Sequence, residues 1–485
     1  MRFRPLPRSP AGPPPKSPAG QPPTPPGAAS AAQSRPLAIG VVCAGVFLGA
    51  IDTQLVNVAF PKMLRDFPGT DLAQLSWVFN GYTIAFTAAL LPAGGLADRF
   101  GRRRVYLAGL SVFVAASAAC AVAPSPAALI AARLVQGAGG GIITPLALAL
   151  ILHWFSEEER GTGIGLWSAT QSVAVAAGPA LGGMLVSLWD WRTIFWLHIP
   201  VGLLALAFSV RTLPRDEVGK AAALPDLPGL ALLVGAIGLP SFAIVQSHDW
   251  GLVDARTLIA LAVGLLSAAA FARRASRHPA PLVDLALLRL PTALRANAAM
   301  FVLGLVIFAL SLAAVLFLTG VWDYSEARAG LAFTPAPAIQ VLVAPFAGRL
   351  VRRTGFRTMA LTGAAVLFAS VVLLALAAGH TPSYWLVFFP SLLLGGSGIA
   401  LLVTALSAAA LTEIPPSRLA TGTALSVTAR ACGAVIGLST LAVILAGAPR
   451  DSLGTYHAVW WTMAALCAVM TALATRLPRP LKSTE

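Results

Sequence analysis

The chain has 485 residues, 57% hydrophobic and 11% charged, with a mean hydropathy of +0.78. Soluble domains carry about 25% charged residues, so this composition cannot cover a water-facing surface and excludes a soluble globular protein. A net charge of +15 would point to nucleic acid in a soluble protein, but in a helical membrane protein it reads as basic cytoplasmic loops, and no nucleic-acid partner is expected.

Residues 1–35 scatter Arg2, Arg4, Arg8, Lys16 and Arg35 among prolines such as Pro13-Pro14-Pro15. Such a stretch cannot bury a core and is expected to be a disordered, basic cytoplasmic tail rather than a signal peptide. A membrane-crossing helix needs about 20 mostly apolar residues. On that rule spans fall near 37–60, 76–97, 104–123, 127–152, 162–188 and 194–211. After a polar stretch with Arg211, Arg215, Asp216, Glu217 and Lys220 come two more, near 228–247 and 257–273. A basic connector then leads to six spans near 296–320, 329–350, 358–378, 384–411, 420–447 and 457–475. The total is fourteen, which places both termini on one side.

With the N-terminus inside, 26 of the 34 Lys and Arg fall in cytoplasmic segments and six in external ones (Lys62, Arg65, Arg192, Arg256, Arg328, Arg450). That asymmetry is the positive-inside pattern, and it would reverse if one span were miscounted. The four cysteines, Cys43, Cys120, Cys432 and Cys467, lie in apolar runs without metal-like spacing and read as small packing residues.

Gly94-Gly95-Leu96-Ala97-Asp98-Arg99-Phe100-Gly101-Arg102-Arg103-Arg104 separates the second span from the third. Four arginines and an acid cannot stay in lipid, so a short aqueous turn is expected there. The pattern G-x-L-x-D-R-x-G-R-R resembles the loop between the second and third helices of major facilitator transporters. Gly348-Arg349-Leu350-Val351-Arg352-Arg353-Thr354-Gly355 echoes it in the second half, with Arg352 where Asp98 stood. Two halves that share a loop imply duplication about an axis along the membrane normal.

Ionisable groups inside spans are functional candidates by default. Asp52, in Ile51-Asp52-Thr53-Gln54-Leu55-Val56-Asn57, is the acid clearly inside a predicted helix, and Arg133 and Arg430 are the embedded arginines. At 1.5 Å per residue, Asp52 lies about 22 Å from the cytoplasmic edge and Arg133 about 9 Å from the external one. In a hydrocarbon core about 30 Å thick these depths agree within a turn. The two are therefore expected to face one cavity and tune each other's charge, with a static salt bridge as the bland alternative. Arg430 lies near mid-depth and either attracts an anionic or polar substrate group or bonds backbone carbonyls.

The segment around Asp52 resembles the first-helix signature of fourteen-span drug:proton antiporters. Arg133-Leu134-Val135-Gln136-Gly137 resembles the superfamily's fourth-helix motif, whose arginine is implicated in proton transfer. Gly178-Pro179-Ala180-Leu181-Gly182-Gly183 resembles its antiporter motif, with Ala174 where another Gly is usual. Trp191-Arg192-Thr193-Ile194-Phe195-Trp196-Leu197-His198 resembles its sixth-helix start, and His198 is expected to be a hydrogen-bonded interfacial residue. The resemblance implies an all-α integral membrane protein of the major facilitator fold: a six-helix bundle over 36–211, a linker with an inserted transmembrane hairpin over 212–289, a second bundle over 290–476 and a short cytoplasmic tail over 477–485.

It further implies a proton-coupled exporter of amphipathic organic compounds such as drugs and antibiotics, working by alternating access. In that reading Asp52 and Arg133 couple the proton, and Gln54, Tyr82, Gln136, Trp167, Gln171 and Arg430 line the substrate pocket. Gly94, Asp98, Arg99, Gly101, Arg102 and Arg103 form a gating loop, while Gly178, Pro179, Gly182 and Gly183 close the external side. The expected protein is a monomer in a bacterial plasma membrane, driven by the proton gradient without cofactor or metal. A single embedded acid favours neutral, zwitterionic or monocationic substrates. An importer of a small metabolite on the same fold, or a non-transporting receptor or scaffold using the tail, are the alternatives. No phosphate-cradling G-x-x-x-x-G-K-[ST] loop and no clustered catalytic set is present, so neither an ATP-driven pump nor an enzyme is expected.

Overall fold

The structure, a computed structural model, describes residues 28–156, 159–214, 226–278, 281–283, 285–415 and 418–478. Helix α1 (Ala28–Asp66), the single turn α2 (Leu72–Leu75), α3 (Trp77–Phe100), α4 (Arg102–Ala121), α5 (Pro126–Leu152), α6 (Arg160–Leu188) and α7 (Thr193–Thr212) make up the first half. A hairpin, α8 (Leu227–Trp250) and α9 (Ala255–Ala275), follows. The second half comprises α10 (Pro291–Gly320), α11 (Glu326–Phe333), α12 (Pro335–Thr354), α13 (Phe356–Ala377), α14 (Phe389–Leu411), α15 (Leu419–Leu445) and α16 (Leu453–Thr475).

Thirteen segments among the described residues are long and apolar enough to cross a membrane, with α11 and α12 counted as one. The fourteenth expected span, α3, has 24 residues but is more polar, because it carries Asn80, Tyr82 and Thr87 buried against neighbouring helices rather than facing lipid. Helix α1 begins at Ala28, inside the expected tail. The Ala-rich run Ala28-Ala29-Ser30-Ala31-Ala32 propagates helix although it is not a long apolar stretch. The remainder of the tail, residues 215–225 of the linker and the chain beyond 478 lie outside the described residues. The loops with the repeated pattern are tighter than an aqueous turn: a single glycine, Gly101 at φ 98° and Gly355 at φ 81°, separates the flanking helices. Only glycine takes that backbone conformation without strain.

Within the first half α5 packs between α3 and α4, and α1 packs against α6 and α7. Lipid tails are as apolar as leucine, so such helices associate through close backbone approach rather than through water exclusion. Gly137 and Gly141 of α5 provide it; a Cβ on either would stand 2.3 Å from the carbonyl oxygen of Tyr82 or Phe86 on α3. In the second half α10 packs on α15 and α16, and α13 on α14 and α16. Its core centres on Phe317, whose ring lies 5.3 Å from Trp322 and Tyr456 and 6.0 Å from Phe388.

The hairpin docks through α8 on α15 and α3. Asn80 of α3 donates to Ser439 Oγ of α15 at 2.9 Å, and Ser241 of α8 shares a 2.7 Å hydrogen bond with the same hydroxyl. At the hairpin's base Arg274 Nε donates to both oxygens of Asp226, at 2.7 and 2.9 Å. That carboxylate also caps α8 by accepting from the Gly229 N–H at 2.9 Å.

Candidate functional site

Asp52 on α1 and Arg133 on α5 are both fully buried, and Arg133 Nη1 reaches the two carboxylate oxygens at 2.8 and 2.7 Å. The same nitrogen donates to Gln136 Oε1 at 2.6 Å, and Arg133 Nε donates to the Val78 carbonyl of α3 at 3.2 Å. Gln136 Nε2 donates to Ser117 Oγ of α4 at 2.8 Å and approaches Asp52 Oδ1 at 3.2 Å. Ser117 donates its own proton to the Phe113 carbonyl at 2.7 Å. The guanidinium lies 4.1 Å from the centre of the Tyr82 ring and 5.8 Å from that of Phe195. Five helices, α1, α3, α4, α5 and α7, therefore meet at one ion pair. Charges this deep are tolerable only when paired and hydrogen-bonded.

His198 of α7 belongs to this cluster and is not an interfacial residue. It is fully buried, lies edge-on to Phe113 and Phe195, and its Nδ1 stands 3.9 Å from Asp52 Oδ1. Among the described residues neither ring nitrogen has a hydrogen-bond partner. The depth count that pairs Asp52 with Arg133 would have found it, since His198 lies five residues after Thr193 at the start of α7, within a turn of Arg133's depth.

A central cavity of about 560 Å³ runs between the two halves, within the size range of drug-sized ligand sites. Gln54, Tyr82, Gln171 and Arg430 stand on its wall. Asp52, Arg133, Gln136 and Trp167 do not, which corrects the sequence-based pocket. The first three are turned into their own hydrogen-bond cluster one layer behind the wall, and Trp167 packs into the apolar core around α1, α4 and α5. Tyr82 joins the layers, with its ring on Arg133 and its edge in the cavity. The remaining wall is chiefly apolar and aromatic, with Phe79, Phe86, Phe308 and Phe333, relieved by Asn57, Gln340, Ser311 and Ser391. Asn57 and Ser311, which sequence reasoning missed, bridge the halves by a 2.6 Å hydrogen bond. Neither has a pattern that singles it out before α1 and α10 are brought together.

Arg430 is the charged side chain on this wall, among the described residues. Among the described residues no acidic side chain shares this wall with it. Its own carbonyl packs against Gly304 of α10, where a Cβ would stand 2.1 Å away.

At one end of the bundle α6 packs tightly against α1 and α11. Gly178 and Gly182 face Gln54 and Leu55 of α1, while a Cβ on Gly183 would stand 2.5 Å from the Glu326 carbonyl oxygen of α11. From the other side a Cβ on Gly330 would stand 2.2 Å from the Pro179 carbonyl oxygen. Ser187 Oγ accepts from the Ala327 N–H at 2.8 Å, and Arg65 of α1 pairs with Glu326. At the opposite end, where Gly101 and Gly355 lie, a Cβ on Gly94, Gly95 or Gly348 would meet nothing within 4 Å among the described residues. Asp98 stands exposed on the last turn of α3 with no partner among the described residues. Arg103 donates to the Val210 carbonyl, tying α4 to the end of α7, while Arg102 is exposed and Arg99 lies 5.5 Å from the Phe100 ring centre.

The family model described as the Major Facilitator Superfamily matches residues 42–288 and 296–485. The chain is 33% identical over 404 residues to "Multidrug resistance protein Stp" of Mycobacterium tuberculosis (strain CDC 1551 / Oshkosh), covering 83% of this chain and 74% of that protein. It is 31% identical over 470 residues to "Cephamycin export protein CmcT" of Amycolatopsis lactamdurans (94% and 96% covered). It is also 31% identical over 429 residues to "Tetracenomycin C resistance and export protein" of Streptomyces glaucescens (87% and 78% covered). Among solved structures, nucleoside transporter NupG superposes with a TM-score of 0.67 at 12% identity (91% and 99% covered), and peptide transporter POT with 0.66 at 18% (91% and 94% covered). The chain belongs to the major facilitator superfamily, whose members are multi-pass membrane transporters and not enzymes.

Proposed function

We propose that this major facilitator protein exports amphipathic organic compounds across a bacterial plasma membrane in exchange for protons. The observation that carries the reading is the Asp52–Arg133 pair, sealed one layer behind the cavity and joined to it through Tyr82. A static brace could sit anywhere in a bundle; this one backs directly on the wall a substrate touches.

Protonation of Asp52 would leave Arg133 as a buried cation without a counter-charge. The guanidinium must then move or find other acceptors, and Tyr82 moves with it. Conversely, a compound that displaces the Tyr82 ring alters how tightly Arg133 holds the carboxylate, and so alters proton affinity. Linkage makes the effect reciprocal: whatever substrate does to the proton, the proton does to substrate. His198, 3.9 Å from the carboxylate, is the neighbouring base able to pass the proton on. The relatives' names support export rather than import.

The distribution of Lys and Arg supports cytoplasmic termini. On that orientation the α6–α11 seam serves as the external closure and the opposite end as the cytoplasmic mouth through which an exported compound would load. The gating loop around Gly94 to Arg103 lies at that mouth, where approach of the halves would close it after loading. One chain carries the cavity and both halves, so a monomer suffices, with the proton gradient as its energy source.

The test uses inside-out vesicles with an acid interior, a pH dye and a panel of amphipathic antibiotics and dyes. At least one compound should release protons in the wild type and none in Asp52→Asn or in the stability-compensated Asp52→Asn/Arg133→Gln, each inserted at wild-type level. Release that persists in either variant would refute the coupling role, and release by no compound would refute export.

A further inference from the structure

We infer that the central cavity recognises organic anions: amphipathic compounds bearing a carboxylate or similar acidic group, which docks on Arg430. This deepens the export reading and depends on it for the direction of transport, but it concerns what the cavity binds. A single embedded acid, read from sequence alone, favours neutral, zwitterionic or monocationic compounds. The structure alters the premise, because that acid is not available. Both oxygens of Asp52 are engaged by Arg133 and neither residue reaches the wall, so the pair contributes no net charge to the cavity.

What remains on the wall is Arg430, midway along α15, with no acid among the described lining residues. Its backbone is held near mid-depth by close packing on Gly304, so the guanidinium starts from mid-depth beside the cavity. A guanidinium at mid-depth is expensive in a membrane unless something compensates it. Here the remaining compensation comes from whatever occupies the cavity. A guanidinium presents several N–H donors in a planar fork that matches a carboxylate bidentately. The aromatic side chains Phe79, Phe86 and Phe308 on the same wall would accommodate the apolar body. A cationic drug would meet repulsion from Arg430 with no carboxylate to offset it.

The charge balance has a consequence for energetics. Exchange of one proton inward for one monoanion outward moves two positive charges inward per cycle, so an interior-negative potential should drive it. The same exchange with a monocation moves none.

The test uses the purified full-length protein and three probes that share one fluorophore: dansylglycine (anion), its methyl ester (neutral) and dansylcadaverine (cation). Binding is read from dansyl fluorescence, in the wild type and in Arg430→Gln, Arg430→Lys and Arg430→Glu. We expect the wild type to prefer dansylglycine over dansylcadaverine on the order of 10- to 100-fold, the range spanned by a hydrogen bond to a charged group. Arg430→Gln should abolish the preference, Arg430→Lys keep part of it and Arg430→Glu reverse it. The lysine variant also guards against misfolding, since a folded but insensitive site would show in it. No binding of dansylglycine, a preference for the cation, or a preference unchanged in Arg430→Gln would overturn the assignment. In proteoliposomes a valinomycin-imposed potential should speed proton-coupled movement of dansylglycine. Proton-coupled movement of dansylcadaverine alone would sink the anion assignment and leave the export reading standing. Movement of dansylglycine without proton coupling would do the reverse.

Discussion

Replacing Gly330 with alanine should open the cavity at the α6–α11 seam. The new methyl group would lie 2.2 Å from the Pro179 carbonyl oxygen, a backbone atom that no rotamer change can move aside. Restoring an ordinary contact of roughly 3.5 Å requires α11 and α6 to part by about 1.3 Å. A gap of 0.5–1 Å already forfeits a quarter to a half of each dispersion contact across a seam. Overpacking of this kind costs about 1–3 kcal/mol. That penalty applies to the sealed state alone, so the ratio of the state open at this end to the sealed one should rise roughly 5- to 150-fold. The assay is alkylation of a reporter, Gln171→Cys on the cavity wall, by a membrane-impermeant maleimide added from the sealed side, with Cys43, Cys120, Cys432 and Cys467 replaced. Gly183→Ala, which meets the Glu326 carbonyl from the facing helix, should act in the same direction. An unchanged alkylation rate in both variants, with wild-type elution and melting, would refute the idea that this seam holds the cavity shut.

Asp52→Asn should lower thermal stability in detergent by about 3–5 kcal/mol, because it leaves Arg133 as an uncompensated buried charge. The double variant Asp52→Asn/Arg133→Gln should recover most of that loss, and equal melting of single and double variants would contradict it. His198→Phe should raise stability by roughly 1 kcal/mol, since it removes two buried nitrogens without hydrogen-bond partners among the described residues; a fall in melting temperature would show that those nitrogens are satisfied. Tyr82→Phe should likewise raise stability by roughly 1 kcal/mol, because it removes a buried hydroxyl without a hydrogen-bond partner among the described residues, and should leave ligand affinity unchanged in a binding titration; a fall in melting temperature would contradict this. Gln171→Ala should change ligand affinity while Trp167→Phe should not, as the first stands on the cavity wall and the second packs, half-buried, against the core away from that wall. Equal effects from the two would show that the wall has been misassigned.

Much of this protein is legible along the chain because a membrane turns sequence position into depth. Apolar runs of about 20 residues mark the spans, and the imbalance of Lys and Arg orients them. The helix rise converts residue counts into height, so Asp52 and Arg133 can be paired from residue counts alone. Glycine at 101 and 355 marks the helix breaks, although the turns proved to be single residues. Rotation about each helix axis was not legible. A soluble helix advertises its inward face by an apolar stripe, but these helices are apolar on the lipid side and the packed side alike. Residue spacing therefore could not say that Asp52, Gln136 and Trp167 turn away from the cavity while Gln54, Gln171 and Arg430 turn into it. That choice is made by contacts between residues far apart in the chain: α5 on α3 through Gly137 and Gly141, α15 on α10 through Gly304, and Asn57 with Ser311 across the halves. Sequence determined which groups share a depth. Only the packed bundle decided which of them share a surface, and with it the sign of the charge that a substrate meets.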